Sequence, residues 1–288
     1  MTRHLELDNV TKFYSGQEKQ LHALHQITFD VDHGEFVSIV GPSGCGKSTL
    51  LKIIAGLDYP SSGEVRVKGD RIRGPHPKIS MVFQTFGLFP WRTVQENVEY
   101  GLEMRKMPKS ERRDIARQNL DLVGLGGYEH MYPKQLSGGM KQRVGIARAL
   151  AVNPEVVLMD EAFSAIDEVT SEVLREEVAS IHKETGKTFV LVTHNLHEAI
   201  ELADKVVVLS SRPAKVKRIF PIDLNRPRDR AHATFIHIHR DILHLLKEEL
   251  EHTLLHHKLR NVKELTDLHD MEQNHEIISE HDHTSDKT

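Results

Sequence analysis

The sequence Gly41-Pro42-Ser43-Gly44-Cys45-Gly46-Lys47-Ser48-Thr49 decides the fold, because it matches the phosphate-loop pattern G-x-x-x-x-G-K-[ST]. The apolar residues 36–40 before it are typical of a buried strand, and residues 50–55 after it of the first turns of a helix. Glycines let the backbone turn its N–H groups toward phosphate oxygens, and the helix adds its positive N-terminal end. The chain is therefore predicted to bind a nucleoside triphosphate.

Two side chains of this loop have expected roles. Lys47 is expected to neutralise the β- and γ-phosphates, and the Ser48 hydroxyl is expected to bind a magnesium ion. A chance glycine-rich turn is the alternative, but the strand, the spacing and the helix all fit a phosphate loop.

The composition is that of an ordinary globular protein, with 39% hydrophobic and 28% charged residues among 288. A net charge of −4 argues against broad nucleic-acid binding, which usually depends on a basic patch. Cys45 is the only cysteine, which excludes an internal disulfide and fits a reducing compartment. With no signal-peptide pattern and no apolar run of membrane-spanning length, any membrane role is expected to come through a partner.

Strand patterns alternate with helix patterns along most of the chain. Half-buried strands are predicted from alternating apolar residues at 5–10, 27–31 and 63–69. Fully buried strands are predicted from apolar runs at 36–40, 79–84, 156–161, 189–193 and 205–210. Residues 87–150 favour helices and interrupt this α/β core, while Tyr14 lies in an exposed, turn-prone context. The pattern predicts a mostly parallel, doubly wound sheet with its chemistry at the C-terminal ends of the strands.

Four polar residues follow such strands: Gln84, Asp160, Glu161 and His194. Asp160 is placed to hold magnesium, and Glu161 beside it is placed to polarise the attacking water as a general base. His194 is expected to orient Glu161 and to touch the γ-phosphate. The amide oxygen of Gln84 is expected to bind magnesium or water. The alternative for each is an ordinary structural or solvated residue.

A second motif is more specific than the phosphate loop. The segment Leu136-Ser137-Gly138-Gly139-Met140-Lys141-Gln142-Arg143 resembles the signature motif of the ATP-binding cassette (ABC) transporter ATPases. In that family the signature of one subunit completes the ATP site of the other, so the resemblance implies a head-to-tail homodimer that sandwiches two ATP molecules with Mg²⁺.

The resemblance covers residues 3–225 and assigns the site residues. It implies that Glu161, His194 and Gln84 are catalytic and that Ser48, Gln84 and Asp160 hold the metal. It implies that Tyr14 stacks on adenine, with Phe13 as the rival, and that residues 164–167 link the two sites. The residues implied to hold ATP are Tyr14, Gly41, Pro42, Ser43, Gly44, Cys45, Gly46, Lys47, Ser48, Thr49 and, as signature-motif residues, Ser137, Gly138, Gly139 and Gln142.

The implied fold is an α/β phosphate-loop ABC ATPase core with an antiparallel β subdomain, a helical signature-motif subdomain and a C-terminal helical extension. The expected domains are an ATPase domain at 1–230, with its helical subdomain at about 87–150, an extension at 231–262, and a disordered tail at 263–288. Two residues depart from the family pattern: Ala162 stands where proline is usual and Ile166 where leucine is usual. Neither removes a catalytic group, but Ala162 is expected to loosen the turn behind Glu161 and so to affect turnover.

Weaker similarities concern the type of transporter. Residues 88–94, 211–213 and 224–228 resemble the nitrate, sulfonate and taurine importer ATPases. The implied protein is a bacterial importer subunit on the cytoplasmic face of the membrane, partnered by a transmembrane permease and, indirectly, by an extracytoplasmic solute-binding protein. Trp91 either contacts that permease or packs within the helical subdomain. A soluble ABC ATPase not coupled to transport is the alternative function.

The C-terminal part is rich in histidine. Residues 234–260 have the pattern of an amphipathic helix that packs on the core or on a second subunit. His237 and His239, with His256 and His257, raise the hypothesis of metal sensing, against the alternative of a solvated surface helix without a compact ligand set.

Overall fold

The structure is a computed structural model that describes residues 3–15 and 20–251. The strands are β1 (Arg3–Ser15), β2 (Gln20–Asp32), β3 (Phe36–Val40), β4 (Ser62–Val67), β5 (Asp70–Arg71), β6 (Ile79–Val82), β7 (Val156–Asp160), β8 (Thr188–Val192), β9 (Lys205–Leu209) and β10 (Val216–Pro221). The helices are α1 (Lys47–Ile54), α2 (Val94–Met104), α3 (Lys109–Leu122), α4 (Gly138–Ala151), α5 (Glu168–Thr185), α6 (Leu196–Leu202) and α7 (residues 233–251).

These strands form two sheets. The antiparallel sheet has the order β2-β1-β4-β5, and the larger sheet has the order β10-β9-β3-β8-β7-β6. In the larger sheet β9, β3, β8, β7 and β6 are parallel, and β10 pairs with β9 in the antiparallel direction. The predicted α/β fold with an antiparallel β subdomain is confirmed.

Alternate residues of the parallel strands pack into two different cores. On β3, Val37 and Ile39 join a cluster with α1 and the antiparallel sheet. Their neighbours Phe36 and Val40 join a second cluster with α2 and α4 on the opposite face. Successive side chains of a strand point to opposite faces, so burial of both faces requires an uninterrupted apolar run.

A buried asparagine shapes the segment between β6 and α2. Asn97 is completely buried; its Oδ1 accepts from the Phe89 N–H at 2.8 Å, and its Nδ2 donates to the carbonyls of Phe89, Arg92 and Thr93. Thr93 and Glu96 add a capping box at the start of α2. This bonding fixes the backbone around Trp91, whose side chain is 72% exposed.

A buried arginine joins α5 to α6. Arg175 is 2% exposed, and its guanidinium donates to Ser171 Oγ at 2.6 Å, to Glu201 Oε2 at 2.8 Å and to Glu168 Oε1 at 3.1 Å. Charged hydrogen bonds of this kind are what make the burial of a guanidinium tolerable.

The last described helix packs on the chain's own core rather than leaving its apolar face free. Phe235 and Ile242 of α7 are fully buried in the cluster on the α2 side of the sheet. The ring of His239 stacks on His197 of α6 at 4.7 Å. His237 instead lies near Asp241 at 3.4 Å, so His237 and His239 do not face a common ligand. His256, His257 and the predicted tail at 263–288 lie outside the described residues.

Candidate nucleotide-binding and hydrolysis site

The phosphate loop connects β3 to α1 and closes as a tight turn. The Cys45 N–H donates to the Pro42 carbonyl at 3.2 Å. Gly44 and Gly46 have φ values of +71° and +125°, and a Cβ on Gly46 would lie 2.8 Å from Leu24 Cδ2. Only glycine accepts this combination of backbone conformation and close approach. The loop therefore presents its backbone N–H groups at the N-terminus of α1, which is an anion-binding arrangement.

Lys47 lies over this loop. Its Nζ donates to the Gly41 carbonyl at 2.8 Å and to the Pro42 carbonyl at 2.9 Å, and the residue is 6% exposed. An ammonium group has three donors, so one remains for a phosphate oxygen. The stem is buried while the charge stays at the loop, as the predicted role of Lys47 requires.

Ser48 and Asp160 meet across the start of α1 and the end of β7. Ser48 Oγ donates to Asp160 Oδ1 at 3.3 Å. Burial raises the pKa of the Asp160 carboxyl. A hydroxyl and a carboxylate oxygen are hard ligands, so this pair fits a magnesium ion that keeps several waters.

Two of the three predicted catalytic side chains approach one carboxylate oxygen of the third. Glu161 Oε2 accepts from Gln84 Nε2 at 3.1 Å and lies 3.3 Å from His194 Nδ1. Gln84 Nε2 also donates to Ser164 Oγ at 3.2 Å. The structure thus brings Gln84 and His194 together around Glu161, but it turns the Gln84 amide nitrogen, not its oxygen, toward the carboxylate.

The backbone of Glu161 is in the left-handed region, with φ +46°. Its N–H donates to the Val192 carbonyl at 2.8 Å, and its own carbonyl accepts from Ser164 Oγ at 2.9 Å. Ala162, which follows it, is fully buried. A non-glycine residue with positive φ costs free energy, so the surrounding bonds hold Glu161 in a conformation that the isolated chain would avoid.

Hydrogen bonds of neighbouring side chains fix the loop that carries His194. Thr193 Oγ1 donates to Glu198 Oε2 at 2.5 Å and accepts from the Asn195 N–H at 3.0 Å. Asn195 Oδ1 in turn caps α6 by accepting from the His197 N–H at 2.9 Å. His194 itself is 59% exposed and faces the site.

Tyr14 lies on β1 and not in the turn-prone setting that its sequence suggested, because β1 pairs with β2 as far as Ser15. Its hydroxyl donates to Asp58 Oδ2 at 2.7 Å, and Lys12 Nζ lies 4.7 Å from the ring centroid. Phe13 stacks on His22 at 4.1 Å. That stacking leaves Tyr14 the better candidate for adenine.

The signature segment begins α4. Ser137 is the N-cap of this helix and accepts from the Met140 N–H at 3.3 Å. A Cβ on Gly139 would lie 2.5 Å from Thr170 Cγ2, and one on Gly138 would lie 3.1 Å from Ile166 Cγ2. Glycine at both positions lets the start of α4 approach the segment after Glu161. The start of α4 is a second helix N-terminus suited to an anion.

Gln142 does not fit its predicted role. It is completely buried, and neither amide atom has a hydrogen-bond partner among the described residues. A side chain inside the subdomain does not reach a facing subunit in this conformation, so a direct contact across a dimer is not supported. The eight-residue motif gave no sign that this residue faces inward.

Two contributors to the site are absent from the sequence prediction. Arg212 donates through Nε to the Gly44 carbonyl at 3.1 Å and so ties the segment after β9 to the phosphate loop. Asp58 anchors Tyr14 and accepts from Lys12 Nζ at 2.5 Å. Arg212 lies in a segment that marked the importer resemblance, whereas no local pattern identifies Asp58.

Cys45 is buried within the phosphate loop, and burial raises the pKa of its thiol.

The fold and site define an ATPase with a phosphate loop, a carboxylate pair and a second anion-binding helix. The family model described as ABC transporter matches residues 24–164. The uncharacterized ABC transporter ATP-binding protein MJ0412 of Methanocaldococcus jannaschii is 48% identical over 85% of this chain and 92% of its own length. The chain therefore belongs to the ABC transporter ATP-binding proteins and is an ABC ATPase.

Other relatives are named as import ATP-binding proteins. The nitrate import ATP-binding protein NrtD of Synechocystis sp. is 47% identical, over 77% of this chain and 83% of that protein. The aliphatic sulfonates import ATP-binding protein SsuB of Bacillus cereus is 41% identical, over 83% of this chain and 94% of that protein. The expected resemblance to nitrate and sulfonate importer ATPases is thereby confirmed.

Solved cassettes share the fold. The ATP-binding cassette MJ0796, a dimer in a post-hydrolysis state bound to ADP and Pi, has a TM-score of 0.68 and 37% identity, covering 77% of this chain and 100% of that one. The cbiO1 protein of Clostridium perfringens, part of the ABC transporter complex cbiONQ, has a TM-score of 0.68 and 26% identity, covering 77% and 89%.

Proposed function

We propose that this chain is the ATP-hydrolysing motor of a bacterial ABC importer that takes up a small solute through a separate membrane permease. The observation that carries the proposal is the 41–47% identity to nitrate and sulfonate import subunits, in a chain that has the phosphate loop and brings Gln84 and His194 together around Glu161. Among residues 3–15 and 20–251, no helix combines the length and apolar character needed to cross a membrane. As an import subunit, the motor is proposed to lie at the cytoplasmic face of the membrane, held there by the permease.

The hydrolysis step follows from the residues around Glu161. Its carboxylate accepts the proton of the attacking water, while His194 Nδ1, 3.3 Å from that carboxylate, keeps it oriented. Lys47 and the loop N–H groups hold the β- and γ-phosphates. Ser48 and Asp160, with Gln84, would hold Mg²⁺, which offsets phosphate charge when bound.

A single chain supplies only half of each proposed site. The start of α4, with Ser137, Gly138 and Gly139, is the second anion-binding helix terminus, and we propose that it covers the ATP held by a facing subunit. The dimeric form of the cassette MJ0796 supports this arrangement. Residues 164–167 connect the two functions, because Ser164 contacts Gln84 and Ile166 lies against Gly138.

The proposed permease contact is the cleft beside α2. It has a volume of about 390 Å³ and carries mixed charges from Arg92, Glu96 and Arg112. Trp91 stands at its edge and is the most exposed aromatic residue among those described. A large exposed aromatic residue on a backbone fixed by Asn97 suits a protein contact better than internal packing.

Co-purification tests the importer proposal. The tagged chain is recovered from gently solubilised native membranes, and every stoichiometric partner is identified. A small all-helical permease would support the proposal, and its binding protein would then be screened with nitrate, sulfonates and taurine. Recovery from the cytosol alone, with no membrane partner, would favour a soluble ABC ATPase instead.

A pair of variants locates the contact. Trp91→Ala is expected to lose the permease while keeping the ATPase activity of the isolated chain. Ile236→Ala removes a similar exposed apolar side chain from α7 and is expected to keep the permease. Equal recovery of the permease by both variants would rule out the cleft as the contact.

A further inference from the structure

A second cluster of potential ligands lies at the opposite end of the parallel sheet from the phosphate loop. His4 is near the start of β1, His33 lies in the turn between β2 and β3, and Glu155 immediately precedes β7. Their nearest ligand atoms all lie within 4.8 Å of one another. Because β3 and β7 are five residues long, this cluster is separated from the hydrolysis site by about 16 Å of strand.

His4 carries a buried nitrogen without a partner. The residue is 3% exposed, and its Nε2 accepts or donates no hydrogen bond among the described residues. Glu155 Oε2 lies 3.6 Å from this nitrogen, which is too far for a hydrogen bond. An unsatisfied buried polar atom costs free energy, so its retention calls for an explanation.

Glu155 already has a cationic partner at the edge of this cluster. Lys68 Nζ lies 2.6 Å from Glu155 Oε1 and is 41% exposed, so it can turn out into solvent when a cation arrives.

The distances suit a tetrahedral ion after a small adjustment. Bonds of about 2.0–2.1 Å place neighbouring ligand atoms roughly 3.4 Å apart. The separation of 3.6 Å between His4 Nε2 and Glu155 Oε2 already meets this spacing. The exposed His33 ring stands edge-on to His4 at a centroid distance of 4.8 Å, and a rotation of this side chain would close the remaining gap.

We propose that His4, His33 and Glu155 bind a divalent transition-metal ion of the zinc class, with water at the fourth position. Two imidazoles and one carboxylate form a ligand set typical of zinc. The ion would join β1 of the antiparallel sheet to the starts of β3 and β7 in the parallel sheet. Its expected effect is to stabilise the junction of the two sheets, without a part in hydrolysis.

Cobalt and zinc binding test this proposal on the full chain expressed without a histidine tag. Co²⁺ is expected to fill one tight site with the intense visible absorption of tetrahedral coordination, and Zn²⁺ is expected to displace it and to raise the melting temperature. His33→Ala and Glu155→Gln should each lower the affinity by at least about tenfold, since even outer-shell partners are worth that much.

The control is His237→Ala, which removes an exposed histidine elsewhere in this chain of 20 histidines. It should keep the tight site and the shift in melting temperature. Absence of a tight site in the unmodified chain, or its persistence in both His33→Ala and Glu155→Gln, would overturn the proposal. His33 and Glu155 are not fully buried, so these variants are expected to fold, whereas a His4 variant would lose core packing.

Discussion

At the scale of single residues, the hydrolysis site depends on Glu161. Its Oε2 is the atom on which Gln84 and His194 converge, and its backbone occupies the left-handed region at φ +46°. Strain of this kind persists only where surrounding bonds impose it, and here Val192 and Ser164 supply them.

The first prediction concerns Glu161→Gln. The amide oxygen can still accept from Gln84 Nε2, so the site should keep its shape, but the side chain can no longer take a proton. We expect ATP binding to be retained and hydrolysis to fall by roughly 100- to 10,000-fold. Nucleotide binding and phosphate release measured on the purified chain check this.

Glu248→Gln, on the exposed surface of α7, is the matched control and should hydrolyse ATP at the normal rate. Brisk turnover by Glu161→Gln would mean that another group activates the water.

Some residues of the site can be identified from the sequence alone, and others cannot. Asp160 and Glu161 are identifiable because an apolar strand leads directly into them. Asp58 and the orientation of Gln142 are not, because each depends on which parts of the chain meet in space. A linear motif specifies residue types and spacing, whereas burial is decided by neighbours that are distant in sequence.

At the scale of elements, the buried strands were predictable because two-sided burial produces uninterrupted apolar runs. The lengths of β1 and β2 were not, since their outer halves pair beyond the alternating segments and include bulges. The amphipathic pattern predicts α7, but the choice between the chain's own core and a second subunit needed the positions of Phe235 and Ile242.

The second prediction concerns the joint between α5 and α6. Arg175→Ala removes a guanidinium that is 2% exposed and leaves Glu201 and Glu168 without its hydrogen bonds. Because Glu201 keeps its ion pair with Arg230 and Glu168 is 63% exposed, the loss is expected to be that of a charged hydrogen bond. We expect the free energy of unfolding to fall by about 1.5–3 kcal/mol. Urea-induced unfolding measures the loss.

Arg113→Ala removes an exposed arginine from α3 and should change the stability little. A similar loss in both variants would show that the network around Arg175 contributes nothing beyond an ordinary surface charge.

At the scale of the whole molecule, the two anion-binding helix starts belong to different parts of the chain. The start of α1 follows β3 in the sheet, whereas the start of α4 lies in the helical subdomain beside residues 165–170. A head-to-tail pair of chains would bring one of each to every ATP, which is why we expect assembly to depend on nucleotide.

The third prediction tests that assembly. With ATP, Glu161→Gln is expected to sediment as a dimer, since it binds the nucleotide without consuming it. Adding Ser137→Arg to the same chain should abolish the dimer while leaving ATP binding intact, because the long cationic side chain would fill the space at the start of α4. Analytical ultracentrifugation with and without ATP distinguishes the two.

Ser137→Ala distinguishes the effect of added side-chain volume from the effect of losing the helix cap. It removes the hydroxyl that accepts from Met140 and should cost about 1 kcal/mol of stability, but it adds nothing to the surface, so the dimer should persist. A dimer that forms equally well in the Ser137→Arg chain would place the contact elsewhere.

The burial of Cys45 has a practical consequence for thiol chemistry. It is the only cysteine of the chain, and its raised pKa keeps it a protonated thiol rather than the reactive thiolate. Alkylating reagents and thiol-directed spin labels are therefore expected not to react with the unaltered protein. Any single cysteine introduced on the surface becomes the reactive one, and the unaltered protein already serves as the background for cross-linking and distance measurements between subunits.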